Sequence, residues 1–227
     1  MSIRRFIMIS LMTPSLLLAE NSTNSVYIDQ IGSQSTVTIT QMGQQNSVGS
    51  QQERFQVQGD QQTVTFTLNG NSNQISGKIV DASQSTEIAT VTGDSNDIVY
   101  NEGDAGSVAG SSKTLTVEGG SNQVTFNQGT TSASTSAIQT VEIIGDGNHL
   151  TSTINANDVT NETYLHGDNN TYASVQQGHA GKHTDVHLTG NSNNMTINQL
   201  STNNVDTISV NTTGNNTNFS ITQRNSP

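Results

Sequence analysis

Cysteine and tryptophan are absent from this 227-residue chain, and only two prolines occur. The missing cysteine excludes a disulfide framework. Apolar residues make up 30%, aromatics 4% and charged residues 11%. So thin a supply of apolar surface ordinarily means disorder, because little is available to offset chain entropy. Disorder of that kind also draws on high charge or abundant proline, and both are scarce here. The remainder is mostly Ser, Thr, Asn, Gln and Gly, a charge-poor composition that favours stacked β structure. Seven Lys and Arg stand against 18 Asp and Glu, a formal charge of −11. That balance speaks against nucleic acid, whose binding needs clustered cations to displace counterions, and against adsorption on anionic lipid.

One apolar run opens the chain. Phe6 to Ala19 (FIMISLMTPSLLLA) follows Arg4 and Arg5 and closes on Leu17-Leu18-Ala19 before Glu20. A basic head, a short apolar stretch and a small residue at the boundary read as a secretory signal over residues 1–19, leaving 20–227 as the mature domain. Without Arg4 and Arg5, five basic residues face the same 18 acids, a formal balance of −13. No later stretch is long and apolar enough to span a bilayer, so membrane insertion is not expected.

Internal repetition decides the fold class. Gly70-Asn71-Ser72-Asn73 recurs as Gly93 to Asn96, Gly119 to Asn122, Gly145 to Asn148, Gly167 to Asn170 and Gly190 to Asn193. Gly43 to Asn46 is an earlier copy and Gly214 to Thr217 a looser late one. Spacings between the glycines run from 22 to 27 residues. Apolar residues precede the glycine by two and four places (Leu68 and Phe66, Val117 and Leu115, Ile143 and Val141) and follow the asparagine by two and often four (Ile98 and Tyr100, Val124 and Phe126, Met195 and Ile197). Period two on both sides of a Gly/Asn corner means strand, turn, strand. Further turn-like segments lie between, at Gly32 to Ser35, Gly59-Asp60, Gln128 to Ser134, Gln177 to Lys182 and Ser201 to Val205. The expectation is an all-β, two-sheet, amyloid-like β-solenoid of about eight strand-turn-strand coils in parallel, in-register stacking.

Such stacking gives buried amides a use. Gln30 and Gln41 hold inward places two residues before Gly32 and Gly43. An inward amide lying over its counterpart can donate to it and accept from it. The turn residues Asn46, Asn73, Asn96, Asn122, Asn148, Asn170 and Asn193 are expected to form the longest ladder, each beside its glycine (Gly43, Gly70, Gly93, Gly119, Gly145, Gly167 and Gly190).

The pattern resembles the curlin repeat of bacterial curli fibres, an alternating strand ending Q-x-G-x-x-N followed by a second ending in Gln. Val26 to Gln41 looks like one such repeat, with Ser35 in place of the asparagine, and Asn193 to Gln199 and Phe219 to Arg224 look like second strands. The likeness is close at the two ends and diluted between Phe55 and Thr212, where the place before glycine is usually apolar or Thr. The resemblance implies an extracellular functional-amyloid subunit, exported through an outer-membrane channel and polymerised at the cell surface for biofilm matrix and adhesion. A solenoid also leaves two bare strand edges at each end unless it is capped. Ends of like geometry can join head to tail, as a homopolymer or with other curlin-like subunits.

Walker, nucleophile-elbow, zincin and calcium-roll motifs are absent, so neither catalysis nor a cofactor is expected. His183, Asp185 and His187 alternate on one outward face near His179, with His166 and Glu162 one coil below, and are the candidates for zinc or copper. Asp94, Asp146 and Asp168 follow their turn glycines, and like charges one coil apart would repel and slow docking near neutral pH. The alternative to a fibre subunit is a monomeric secreted solenoid that binds a glycan, ice or another surface. Ice binding needs a regular threonine array. Thr40, Thr67, Thr90 and Thr116 all stand three before a glycine, but the column continues as Glu142, Tyr164, His187 and Asn211.

Overall fold

A computed structural model describes residues 24–31, 34–43, 45–58, 61–70, 72–80, 84–93, 95–102, 110–119, 122–129, 134–178, 181–201 and 206–225. The expected export segment, Asp94 and His179 lie outside them. Strands alternate between two sheets as the chain winds: β1 (Asp29–Ile31) and β2 (Gln34–Met42), β3 (Gln56–Gln58) and β4 (Gln61–Asn69), β5 (Gly77–Val80) and β6 (Gln84–Thr92), β7 (Asp97–Glu102) and β8 (Gly110–Glu118), β9 (Gln123–Gln128) and β10 (Ser134–Ile144). A single long strand, β11 (His149–His166), then serves both sheets. It is followed by β12 (Thr171–Gly178) and β13 (Lys182–Thr189), β14 (Asn194–Ser201) and β15 (Thr207–Thr213), and last β16 (Asn218–Asn225).

Every strand pairing is parallel, each strand lying on its counterpart one coil away. The first sheet stacks β1, β3, β5, β7, β9, the N-terminal half of β11, β12, β14 and β16. The second stacks β2, β4, β6, β8, β10, the C-terminal half of β11, β13 and β15. The expected β-solenoid is therefore the fold. Seven steps separate the outer strands of the second sheet, about 33 Å at ~4.7–4.9 Å per step.

Corner glycines hold this stack in register. From Gly43 to Gly214 they adopt φ between +126° and +157°, outside what L side chains readily take. From Gly70 onward the coils also approach too closely for any side chain: a methyl on Gly70 would sit 1.5 Å from the Gly43 carbonyl oxygen, and one on Gly145 would sit 1.8 Å from that of Gly119. The intervening turns absorb the uneven repeat lengths. Between Gly43 and Gly70, the longest repeat, the chain makes a left-handed excursion with positive φ at Gln51, Gln52, Glu53 and Phe55. Between Gly145 and Gly167, the shortest, β11 passes from sheet to sheet without a break. Its inward side changes phase, because both Ala156 and Val159 are buried. The strands also run further than the sequence suggested: Ser35 lies within β2, and Gln177 and Lys182 within β12 and β13.

Between the sheets lies a large apolar core, with a small second cluster formed by Ala137, Ile154, Ala156 and Val159. The second sheet contributes the column Leu68, Val91, Val117, Ile143, Leu165 and Leu188, and the first contributes Ile98, Val124, Leu150, Tyr172 and Met195, all at most 2% exposed. Burial of such side chains stabilises by about 1.5–3 kcal/mol each. Four of the nine aromatics are concentrated in one place. Phe55, Phe66, Tyr100 and Phe126 form one cluster, with centroids of neighbouring rings 5.0–6.2 Å apart. The ring of Phe55 occupies the space that Gly77 leaves by having no side chain: a methyl there would lie 1.7 Å from Phe55 Cδ1.

Candidate functional site

The seven turn asparagines line one column and are only 1–4% exposed. Their amides join successive coils. Asn73 Nδ2 donates to Asn46 Oδ1, Asn96 Nδ2 to Asn122 Oδ1 at 2.8 Å, and Asn122 Nδ2 to Asn148 Oδ1 at 3.0 Å. Above these the backbone takes over as donor: Asn122, Asn148 and Asn170 each give their N–H to the side-chain oxygen of the next asparagine, at 2.8–2.9 Å. The free amide protons turn back to the corner, Asn122 Nδ2 to Gly119 O and Asn170 Nδ2 to Gly167 O. Glycine and asparagine thus act as a unit. One permits close approach, and the other satisfies the polar groups this buries. The side-chain ladder reverses direction between Asn73 and Asn96, whose Oδ1 atoms have no hydrogen-bond partner. Sequence reasoning missed one member of the column. Asn24 donates its N–H to Gln45 O as Asn46 does to Ser72 O, which places Asn24 at the foot of the column. The signal was present, since Val26, Ile28 and Gln30 follow it at the same offsets as Met195, Ile197 and Gln199 follow Asn193.

The two glutamines behave differently from expectation. Gln30 pairs in register with Val57, and Gln41 with Leu68, so neither meets an amide in the coil above. Buried Gln41 instead donates to Ser47 O of its own corner at 2.9 Å. An inward glutamine ladder forms at the other end, where Gln199 donates to Gln176 Oε1 at 3.1 Å and to Thr184 Oγ1 at 3.0 Å.

Three further polar arrangements lie off these columns. Glu87 and Lys113, stacked in register inside the core, approach to 3.7 Å with side chains 3–4% exposed. Lys113 Nζ also stands 5.7 Å from the centre of the Phe126 ring. Burial first, and the Glu87 charge second, hold the Tyr100 hydroxyl well above its ordinary pKa. On the outside, Asp146 and Asp168 do more than repel: Asp168 N–H donates to Asp146 Oδ1 at 2.7 Å, and Asn191 N–H donates to Asp168 Oδ1. His187 stacks on Tyr164 with ring centres 4.9 Å apart and lies 3.4 Å from Asp185, while His183 meets Thr207 at 2.7 Å. Among the described residues no group of three or more His, Cys, Asp or Glu is placed to hold a metal ion.

The two ends of the stack differ from its middle. On the uppermost strands Phe219 is 56% and Ile221 41% exposed, whereas Met195 and Ile197, one coil below in the same columns, are fully buried. At the foot, Val26, Ile28 and Val37 are partly buried against the core. Gln30 and Gln223 belong to one column, as do Gln41 and Thr212. No protein-family model, curated protein or solved structure matches this chain, so the likeness to curlin repeats rests on the motif residues themselves.

Proposed function

We propose that this chain is an extracellular, curli-like fibre subunit, without catalytic activity, that assembles head to tail through its open solenoid ends for biofilm matrix and surface adhesion. The observation that carries the reading is the match between the ends. Continuing the stack by one coil sets Phe219, Ile221 and Gln223 of one copy over Val26, Ile28 and Gln30 of the next. In the second sheet, Ile208, Val210 and Thr212 share columns with Val37, Ile39 and Gln41 but stop one strand short of them, because the chain ends on β16 of the first sheet. The apolar columns of the first sheet continue as apolar columns, the edges of β16 and β1 gain each other as partners, and Thr217 Oγ1, which has no hydrogen-bond partner, meets the Asn24 at the foot of the next column. A contact that repeats the internal geometry of the first sheet has no closing rotation, so it yields a filament.

Incubation of the mature chain from about residue 20 should give thioflavin-positive fibres by electron microscopy. The Phe219→Asp/Ile221→Asp variant changes residues that are already exposed, so it should stay folded and remain monomeric. A wild type that stays a dye-negative monomer, or fibres that form equally well from the variant, would falsify the proposal.

A further inference from the structure

The outward side of the second sheet carries a grid that its register makes regular. Thr36, Thr38 and Thr40 of β2 lie beside Thr63, Thr65 and Thr67 of β4. These lie beside Thr86, Ile88 and Thr90 of β6, and those beside Ser112, Thr114 and Thr116 of β8. Ten of the twelve positions are threonine, and the two exceptions supply a methyl-bearing and a hydroxyl-bearing side chain. The positions are exposed or half-exposed, and Ile88 is 41% exposed. From this grid, we infer that the face spanned by β2, β4, β6 and β8 binds ice.

Charge supports the assignment. The chain is strongly acidic, yet none of the twelve positions is charged. One flank is fixed by an amide ladder, Gln34 donating to Gln61 at 3.2 Å and Gln61 to Gln84 at 3.5 Å. Beyond β8 the character changes: Glu142, then Glu162, Asp185, His183 and His187 take over the same columns. An uncharged patch that stops where titratable groups begin suits a neutral, ordered surface better than an ionic ligand. It also carries no aromatic platform for a sugar ring.

Geometry supports it independently. Threonine is stiff about χ1, so each residue presents a methyl and a hydroxyl in a restricted arrangement. Hydroxyls recur every ~6.6–6.8 Å along a strand and every ~4.7–4.9 Å across strands. Both spacings lie near repeats of the ice lattice. Waters held on such hydroxyls, with the methyls between them, are ordered in two dimensions before ice arrives, so little further ordering is required on contact. The column through Thr40 is interrupted at Glu142, so the complete face belongs to the first four coils and does not need the upper half.

The inference is separate from fibre assembly, because each copy carries the face whether free or stacked. The measurement is ice-crystal shaping and thermal hysteresis on the end-blocked Phe219→Asp/Ile221→Asp protein, so that polymerisation cannot confuse the result. Faceted crystals and a measurable hysteresis gap are expected. Thr65→Tyr, at the centre of the grid, should abolish both with the circular dichroism spectrum unchanged. Thr151→Tyr, on the outward side of the first sheet, should leave both intact. Absence of ice shaping, full activity in Thr65→Tyr, equal loss in both variants, or retention on crystalline cellulose or chitin without any effect on ice would each overturn the assignment.

Discussion

Gly145 shows how much one absent methyl decides. Its φ of +137° is strained for any L side chain, and the Gly119 carbonyl oxygen stands 1.8 Å from where a Cβ would be. The contact is backbone on backbone, so no side chain can swing aside. Gly145→Ala must push two coils apart or distort the corner, and it also pulls Asn148 away from the Gly145 carbonyl to which it donates. The expected cost is about 2–4 kcal/mol, combining backbone strain with a buried amide left short of a partner. Gly110→Ala is the matched control: a methyl there would meet nothing within 4 Å, so its effect should stay within about 0.5 kcal/mol. Urea unfolding of both variants checks the difference, and equal stabilities would remove the corner glycines from the account of the fold.

At the scale of strands, β6 and β8 are joined by an ion pair inside the core. Glu87 and Lys113 each stand six residues before a corner glycine, so their stacking was legible once offsets were counted from Gly93 and Gly119. Removal of one partner leaves a buried charge and should cost about 3–5 kcal/mol, whereas replacing both with apolar residues is often neutral. Lys113→Met alone should therefore destabilise strongly, and Glu87→Leu/Lys113→Met should recover most of the loss. Additive losses in that double-mutant cycle would mean the pair does not couple. The same counting explains what the sequence revealed and what it hid. Corners, inward apolar columns and the threonine columns at three, five and seven before glycine all sit at fixed offsets from a glycine. The second turn has no such marker, so the phase change within β11 and the length of β12 and β13 could not be read. Phe55 was hidden for a different reason: its partner in the column is the missing side chain of Gly77, and a vacancy leaves no periodic signal.

For the whole molecule, stacking sets short-range attraction against long-range repulsion. The ends offer apolar columns and unpaired strand edges, which act within a few ångströms. Against this, every copy carries a formal charge of −11, or −13 once Arg4 and Arg5 are removed. Screening falls from about 30 Å at 0.01 M salt to about 8 Å at 0.15 M. A stack about 33 Å long is therefore felt nearly whole by an approaching copy at low salt, and only through its nearest one or two coils at the higher salt. Head-to-tail growth should consequently be several-fold faster at about 0.15 M than at about 0.01 M salt. Acidification from about pH 8 toward about pH 4 should act in the same direction as carboxylates take up protons. Seeded elongation followed by thioflavin fluorescence separates growth from nucleation. An elongation rate indifferent to salt would mean that repulsion between copies does not limit growth, and one that fell as salt rose would mean that the ends meet through attracting charges rather than through apolar columns.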